Sequence, residues 1–484
     1  MGEVKLEHRV ASGVAWSFME KLLTMVVQMV VSIVVARQLS PDDFGVMAIL
    51  TFFTSVALAV VDSGFSQTLI RKREPTAQEY HSVLCFNVVV AILLYVVLSL
   101  VAPPLARFYG HQAIADVAPV LFLVLPINSL CVVQTVMFTR EFRFKLLSNI
   151  VLLSSLVSGA VAVTMALMGC GIWSLVAQRL LQMGLKAVAF WVIRRWHSGA
   201  RFSLAALRQM APFSLRLLAT DLIASIYNNV AQLFIGKMHS TTALGYYAQA
   251  QKLKDLPVIS TVQAVQGVTY PALSKIADDE HKFAAGYERI VRLLAYLLFP
   301  TMLGLVAIAP EMFMLLLGQK WMPTVPYFEI LALSGIFYPL SVVAYNILKV
   351  RGDGRVILRL ELLKRVVMTF VLVYTIPRGV VAVAWGMTAM ALVDWLMNVI
   401  ASERYLRLGV GAYLRSLLPA LLLAGVMFGV LHLANPHLAG LTLALRLVAK
   451  IGLGVVVYLV GSLCCGVRTL RECIDLLRGM CRRA

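Results

Sequence analysis

Apolar runs of about twenty residues recur along the whole of this 484-residue chain, and nothing else in the sequence constrains its fold as tightly. A helix needs roughly 20 mostly apolar residues to cross about 30 Å of hydrocarbon. On that rule the sequence predicts fourteen spans, over residues 14–36, 44–70, 83–105, 115–138, 148–168, 171–193, 211–236, 244–273, 290–317, 325–348, 356–376, 379–402, 413–434 and 441–466. Pro126, Pro257, Pro300 and Pro339 fall inside spans and are expected to kink them without ending them, because neighbouring helices can satisfy the freed carbonyls. Composition agrees: with 60% apolar and 14% charged residues, the chain cannot be a soluble enzyme, a disordered regulator or a secreted disulfide scaffold. Its first run is too long for a signal-peptide core and lacks a small-residue cleavage site, so it is expected to stay as the first helix. The seven cysteines form no CxxC pair and have no histidine at zinc spacing, so no metal site is expected.

Loop charge gives the orientation, because cytoplasmic loops accumulate Lys and Arg. The two tails and the even-numbered loops hold 27 cations, whereas the odd-numbered loops hold only Arg37, Arg107, Lys237, Lys320 and Arg378. Both termini are therefore expected in the cytoplasm. The formal charge of +19 is scattered between apolar runs, and no nucleic-acid partner is expected. No loop is long enough to hold a catalytic or nucleotide-binding module, which argues against an enzyme and against a bound cofactor.

The chain also repeats itself. A shift of 200 residues lays 34–48 over 234–248, matching Ser40 with Ser240, Gly45 with Gly245, Ala48 with Ala248 and Arg37 with Lys237. A shift of 208 lays Gly171-Ile172-Trp173 over Gly379-Val380-Val381. The period is six spans, an even number, so the halves share one orientation and are related by an axis along the membrane normal. The expected domains are a six-helix bundle over 1–210, a second over 211–405, and an appended helix pair with a basic tail over 406–484. The fold class is thus an all-α polytopic membrane protein of about 14 transmembrane helices.

Several segments carry a family likeness: DSGFSQTLIRKRE (62–74), EFRFK (141–145), GIWSLV (171–176), GYYAQAQKLKDLP (245–257), PALSKIADD (271–279), GQKWMPTVPYFEIL (318–331) and VRGDGR (350–355). In this order they resemble the polysaccharide exporters and lipid-linked oligosaccharide flippases of the multidrug/oligosaccharidyl-lipid/polysaccharide transporter superfamily, and among these the colanic-acid type of bacterial exporter. The resemblance implies two six-helix bundles forming a V around a central cavity. It further implies passage of undecaprenyl-pyrophosphate-linked oligosaccharide repeat units across the bacterial inner membrane, for capsular, exopolysaccharide or O-antigen biosynthesis, alongside polysaccharide polymerase and chain-length proteins. It supplies no catalytic motif.

Charges inside the spans are the residues that bear on function. Beyond Arg359 and Arg415, already counted with the loops, eleven cations lie there, Lys21, Arg179, Lys186, Arg216, Lys252, Lys254, Arg292, Lys364, Arg365, Arg446 and Lys450, against eight acids besides Asp116 at a span's edge, Glu20, Asp62, Asp221, Asp255, Glu311, Glu329, Glu361 and Asp394. A charge at mid-helix costs about 2.5–3.5 kcal/mol to insert, so these groups need partners, cavities or headgroups. Arg216 and Arg292 lie near span ends and are expected to snorkel. Lys364 and Arg365 neighbour Glu361, which predicts an ion pair within one helix, and Asp62 is expected to cap or pair. Arg446 and Lys450, in the appended pair, are expected at the membrane surface.

The remaining polar residues form stripes. Arg179, Gln182 and Lys186 share one face of the sixth span, and Lys252 and Asp255 one face of the eighth, followed by Pro257. Glu20, Thr24, Gln28 and Ser32 line the first span, Asp221, Ser225, Asn228 and Gln232 the seventh, and Asp394, Asn398 and Ser402 the twelfth. We take Arg179, Lys186, Lys252, Asp255, Gln28, Asn228 and Gln232 as candidate substrate-binding residues, with the cations suited to a pyrophosphate. Asp221, Asp394 and Glu20 are the ion-coupling candidates. Tyr227, Tyr246, Tyr247, Tyr345 and Trp385 are candidate aromatic surfaces for sugars. The plain alternative for each neutral stripe is interhelical hydrogen bonding, worth about 0.6 kcal/mol per bond. At the level of function the alternatives are a multidrug or metabolite antiporter of the same fold and a lipid-linked peptidoglycan-precursor flippase.

Overall fold

A computed structural model describes residues 23–465 except 195, 197, 198, 276–278, 353, 407 and 408, together with 469 and 472. Among these residues there are helices and no strand. They are α1 (Leu23–Gln38), α2 (Pro41–Asp62), α3 (Phe65–Arg71), α4 (Ala77–Tyr109), α5 (Ala113–Leu121), α6 (Val124–Arg140), α7 (Phe144–Leu167) and α8 (Trp173–Ile193). They continue as α9 (Leu204–Met238), α10 (Thr241–Lys275), α11 (Glu280–Leu316), α12 (Val325–Arg351), α13 (Gly354–Thr375), α14 (Val380–Leu406), α15 (Val410–Leu438) and α16 (Leu443–Cys464). Ten spans among these are long and apolar enough to cross a membrane, α5 and α6 counting together as one. Of the fourteen expected, the other four are α1, whose described part is short, and α9, α10 and α13, which carry charges along their length. The chain is a polytopic all-α membrane protein. It divides into two compact units, residues 1–248 and 249–484.

In the first unit the expected second and fourth spans are each split in two. Ser63 (φ 48°) and Gly64 (φ 70°) both take the left-handed conformation and end α2. A β-carbon on Gly64 would sit 2.5 Å from the Ser214 carbonyl oxygen of α9, so the bend needs glycine for its space as well as its φ. Asp62 meets the start of α3, where it accepts from the Ser66 hydroxyl at 2.5 Å and from the Ser66 N–H at 3.4 Å, while the N-cap position itself is Gly64. The far end of α3 is held by Arg140, whose guanidinium donates to the carbonyls of Leu69, Ile70, Lys72 and Arg73. Lys72 and Arg73 belong to the RKRE segment, so one arginine closes a loop that the sequence shows only as a basic run. The break between α5 and α6 comes from Pro126, which has no N–H for the Phe122 carbonyl; Leu125 supplies one instead at 2.9 Å.

The repeat becomes physical in the same unit. Ser40 caps α2, accepting from the Asp43 N–H at 3.2 Å, and Ser240 caps α10, accepting from the Ala243 N–H at 3.0 Å. These two helix starts then meet. A β-carbon on Gly45 would fall 1.8 Å from the Thr241 carbonyl oxygen, and one on Gly245 would fall 1.8 Å from the Pro41 carbonyl oxygen. Asp42 ties the contact together, accepting from Thr241, from Thr242 at 3.2 Å and pairing with His111 Nε2. The second repeat match also has a structural counterpart: Gly171 (φ 55°) and Gly379 (φ 109°) are both left-handed just before α8 and α14.

The second unit is built on aromatic side chains of α11. Tyr287 stacks on Tyr413 of α15 with ring centres 5.9 Å apart, and the Tyr413 hydroxyl accepts from Trp395 Nε1 of α14 at 3.0 Å. Tyr296 donates to Ser462 of α16 at 2.9 Å while its own carbonyl accepts from Tyr458 at 2.8 Å. The appended helices α15 and α16 therefore pack onto α11. Lys450 departs from the expected surface position: it is 1% exposed and paired with Glu311 of α11 at 2.6 Å. That carboxylate, 139 residues away in sequence, is what makes burial of the ammonium affordable.

Candidate functional site

In the first unit the α8 cations stand on a helix held by neutral contacts. Ser154, Ser155 and Ser158 of α7 are buried, and small residues allow close approach of two membrane helices. Gln182 of α8 donates to Ser155 Oγ at 2.8 Å, so the middle member of the predicted stripe is spent on holding α7 and α8 together. Arg179 and Lys186 flank it, about 9 and 20 Å along the helix from Trp173. Arg179 is exposed on α8. Lys186 is half-buried, its ammonium 5.4 Å from the centre of the Phe190 ring. Neither cation has a carboxylate partner among the described residues.

The neutral and acidic candidates of this unit lie on other helices. Gln28 is exposed on α1, whereas Ser32 on the same stripe is buried. On α9, Asp221 and Asn228 are exposed and Gln232 is half-buried. Asp221 pairs with no cation among the described residues, and the Asp62 carboxylate lies close enough to feel its charge. Among the described residues no ion pair links the α8 cations to the α9 stripe. Glu20 lies outside the described residues.

The second unit treats its charges differently. On α10 Lys252 is exposed, while Asp255 pairs with Lys254 at 2.6 Å. A closed arrangement surrounds Lys364 of α13, which is 6% exposed. Its ammonium meets Glu361 at 2.9 Å, the Asp394 carboxylate at 2.8 Å and the Asn398 carbonyl oxygen at 2.8 Å. Asn398 in turn donates to Ser341 Oγ at 2.7 Å, and Ser341 donates to the other Asp394 oxygen, closing a ring of hydrogen bonds across α12, α13 and α14. The contacts to Glu361 and Asn398 are hydrogen bonds, and the third is an ion pair with Asp394. The sequence shows the Glu361 pair and the Asp394–Asn398 face, but not that they meet, because that depends on how the three helices pack.

Among the aromatic candidates, Tyr247 is 1% exposed and belongs to the core, so no sugar reaches its face. Tyr345 lies under two ammonium groups, those of Lys349 at 4.8 Å and Lys364 at 5.4 Å. Trp385 is 53% exposed and free to offer a ring face. Missing from the sequence reading was Asp42, whose sole visible signal was its place beside the matched Ser40.

Comparison with known proteins adds four findings. The model of a family described as polysaccharide biosynthesis protein matches residues 34–326. The chain is 26% identical over 483 residues to the succinoglycan biosynthesis transport protein ExoT of Rhizobium meliloti (strain 1021), covering 98% of this chain and 97% of that protein. It is 24% identical over 464 residues to the teichuronic acid biosynthesis protein TuaB of Bacillus subtilis (strain 168), covering 93% and 94%. Among solved structures, the lipid II flippase MurJ in an inward closed conformation superposes with a TM-score of 0.70 at 13% identity, over 93% of this chain and 98% of that one. At that identity the likeness is one of fold.

Proposed function

We propose that this chain, which belongs to the polysaccharide biosynthesis protein family, is a flippase that moves undecaprenyl-pyrophosphate-linked oligosaccharide repeat units across the bacterial inner membrane by alternating access. Relatives over nearly the full length are named for succinoglycan transport and teichuronic acid biosynthesis, which supports a glycan cargo. The observation that carries the reading is the pair Arg179 and Lys186, two membrane cations on one face of α8 without an acidic partner among the described residues. A pyrophosphate entering hydrocarbon must exchange water for fixed donors, and unpaired Arg and Lys supply charge-assisted hydrogen bonds. Lys252 and Asp255 of α10 and the neutral Gln28, Asn228 and Gln232 would meet the glycan. Cytoplasmic termini follow from the 27 cations on tails and even loops against five on odd loops.

An ion gradient would drive the cycle. Asp221 is the strongest of its coupling candidates because it is exposed and unpaired, whereas Asp394 already holds Lys364. Polymerase and chain-length proteins would take up the product. The test replaces Arg179, Lys186 and Lys252 singly by Ala in a producing strain, checks membrane insertion, and measures undecaprenyl-linked repeat units with surface polysaccharide. Accumulation of the linked repeat with loss of surface polymer is expected. Normal export by all three variants would remove the cationic site, and accumulation of a peptidoglycan precursor instead would reassign the cargo.

A further inference from the structure

The most deeply buried of the ten apolar spans, Gln319–Arg351, contains α12. Gly335 shows how closely its neighbours approach: a β-carbon there would meet Val258 of α10 at 2.8 Å and the Met302 sulfur of α11 at 2.9 Å. From Tyr327 to Val350 only Tyr338 and Lys349 are exposed. They lie three turns apart on one face, with the half-buried Val342 and Tyr345 between them. The open strip of this helix is therefore two tyrosines, a valine and a lysine.

Lipid does not account for that strip. The neighbouring helix α13 exposes Leu358, Leu362, Val366 and Phe370, as a helix against hydrocarbon does. Tyr338 instead sits about 20 Å along α12 from Val325, near the middle of the helix, where a phenol turned to lipid would forfeit its hydrogen bonds. Its surroundings are polar. Ser341, one turn on, donates to Asp394, and the Tyr338 hydroxyl lies close enough to the Asp394 and Asp255 carboxylates to feel both charges. Asp394 is held by Lys364, whereas Asp255 gives one oxygen to Lys254 and stays 32% exposed. Each acid has its cation, so the pair brings no unbalanced charge.

The ring of Tyr338 is open as well. Phe337 lies against Trp395 with ring centres 5.5 Å apart, and Tyr345 lies under two ammonium groups. Tyr338 is 50% exposed, with no ring, cation or hydrogen-bond partner among the described residues. An open aromatic face beside a charge-balanced carboxylate suits a neutral sugar: the C–H face of a pyranose packs on the ring, and its hydroxyls donate to the carboxylate. We propose that Tyr338 is the stacking platform for one neutral sugar ring of the transported repeat, with Asp255 accepting from that ring's hydroxyls. This rests on the flippase reading and adds to it a glycan contact made by other residues than the α8 cations.

Native mass spectrometry of the purified full chain tests this, with bare undecaprenyl pyrophosphate and the undecaprenyl-pyrophosphate-linked repeat from the producing strain as the two lipids. The wild type should retain the linked repeat more tightly than the bare carrier. Tyr338→Ala should weaken retention of the linked repeat on the order of tenfold, the worth of a lost aromatic face, and leave the bare carrier unchanged. Tyr338→Phe keeps the ring and should match the wild type. Tyr338→Leu, which keeps bulk without an aromatic face, should fall with Y338A and carries the test if Y338A does not fold. A preference for the linked repeat that survives in both Y338A and Y338L would overturn the proposal and leave the flippase reading standing. An equal fall for both lipids would make Tyr338 structural and overturn it too, whereas a wild type that retains neither lipid would overturn both readings.

Discussion

The helix pairs α7–α8 and α13–α14 occupy corresponding places in the repeat, yet they handle charge in opposite ways. The 208-residue shift that aligns Gly171 with Gly379 also aligns Lys186 with Asp394. In the first pair, α7 offers buried serines, the helices are joined by the neutral Gln182–Ser155 bond, and the cations of α8 are left without acids. In the second, α13 offers Glu361 and Lys364, and Asp394 is consumed by the lysine. A charge whose partners are complete is part of the scaffold. A charge left without one, in a medium where that is costly, needs a ligand to justify its place.

The largest expected effect lies on the scaffold side. Lys364→Ala leaves Asp394 without its cation and Glu361 with Arg365 alone, at 3.7 Å, and removal of one partner from a buried pair costs about 3–5 kcal/mol. It should lower the thermal midpoint of the purified protein sharply, while the Lys364→Met/Asp394→Leu double variant should recover much of the loss. If K364A melts like the wild type, the two pairs do not differ as described. On the ligand side the readout inverts: Arg179→Ala should reduce export on the order of tenfold, the loss of one charge-assisted bond, with little change in thermal midpoint. Arg179→Lys should keep part of the export because it keeps the charge. A midpoint drop for R179A as large as that for K364A would place Arg179 in the scaffold too. The smallest effect belongs to Gln182→Ala, about 0.6 kcal/mol for one interhelical bond, visible as a slight midpoint shift with export intact; a full export defect would move Gln182 into the binding set.

Much of this was legible in the sequence, and what was not has two causes. Helices and their order follow from apolar runs, and the repeat follows from four matched positions around Ser40 and Ser240. The Glu361–Lys364 pair follows from spacing on a single helix. Contacts between helices far apart in the chain had no such signal. Lys450 reads as an anchor at the membrane surface until Glu311 is placed beside it, and Asp394 reads as a free carboxylate until Lys364 is. The break at Ser63-Gly64 has no signal because hydropathy is continuous across it and a left-handed residue acts on one bond, whereas Pro126 is visible as a kink but not as the division of its span into α5 and α6. The α8 stripe was visible, but which member would be spent on packing was not, since that depends on Ser155 across the helix pair.

The reciprocal contact between Gly45 and Gly245 in the first unit has a consequence for how the chain can vary. Each glycine is pressed against the backbone at the start of the other's helix, so a side chain at either position pushes the same two segments apart. Once they separate, the second substitution meets space that the first has opened. Two positions 200 residues apart therefore behave as one locus under mutation, and the harm of changing both falls short of the combined harm of changing each.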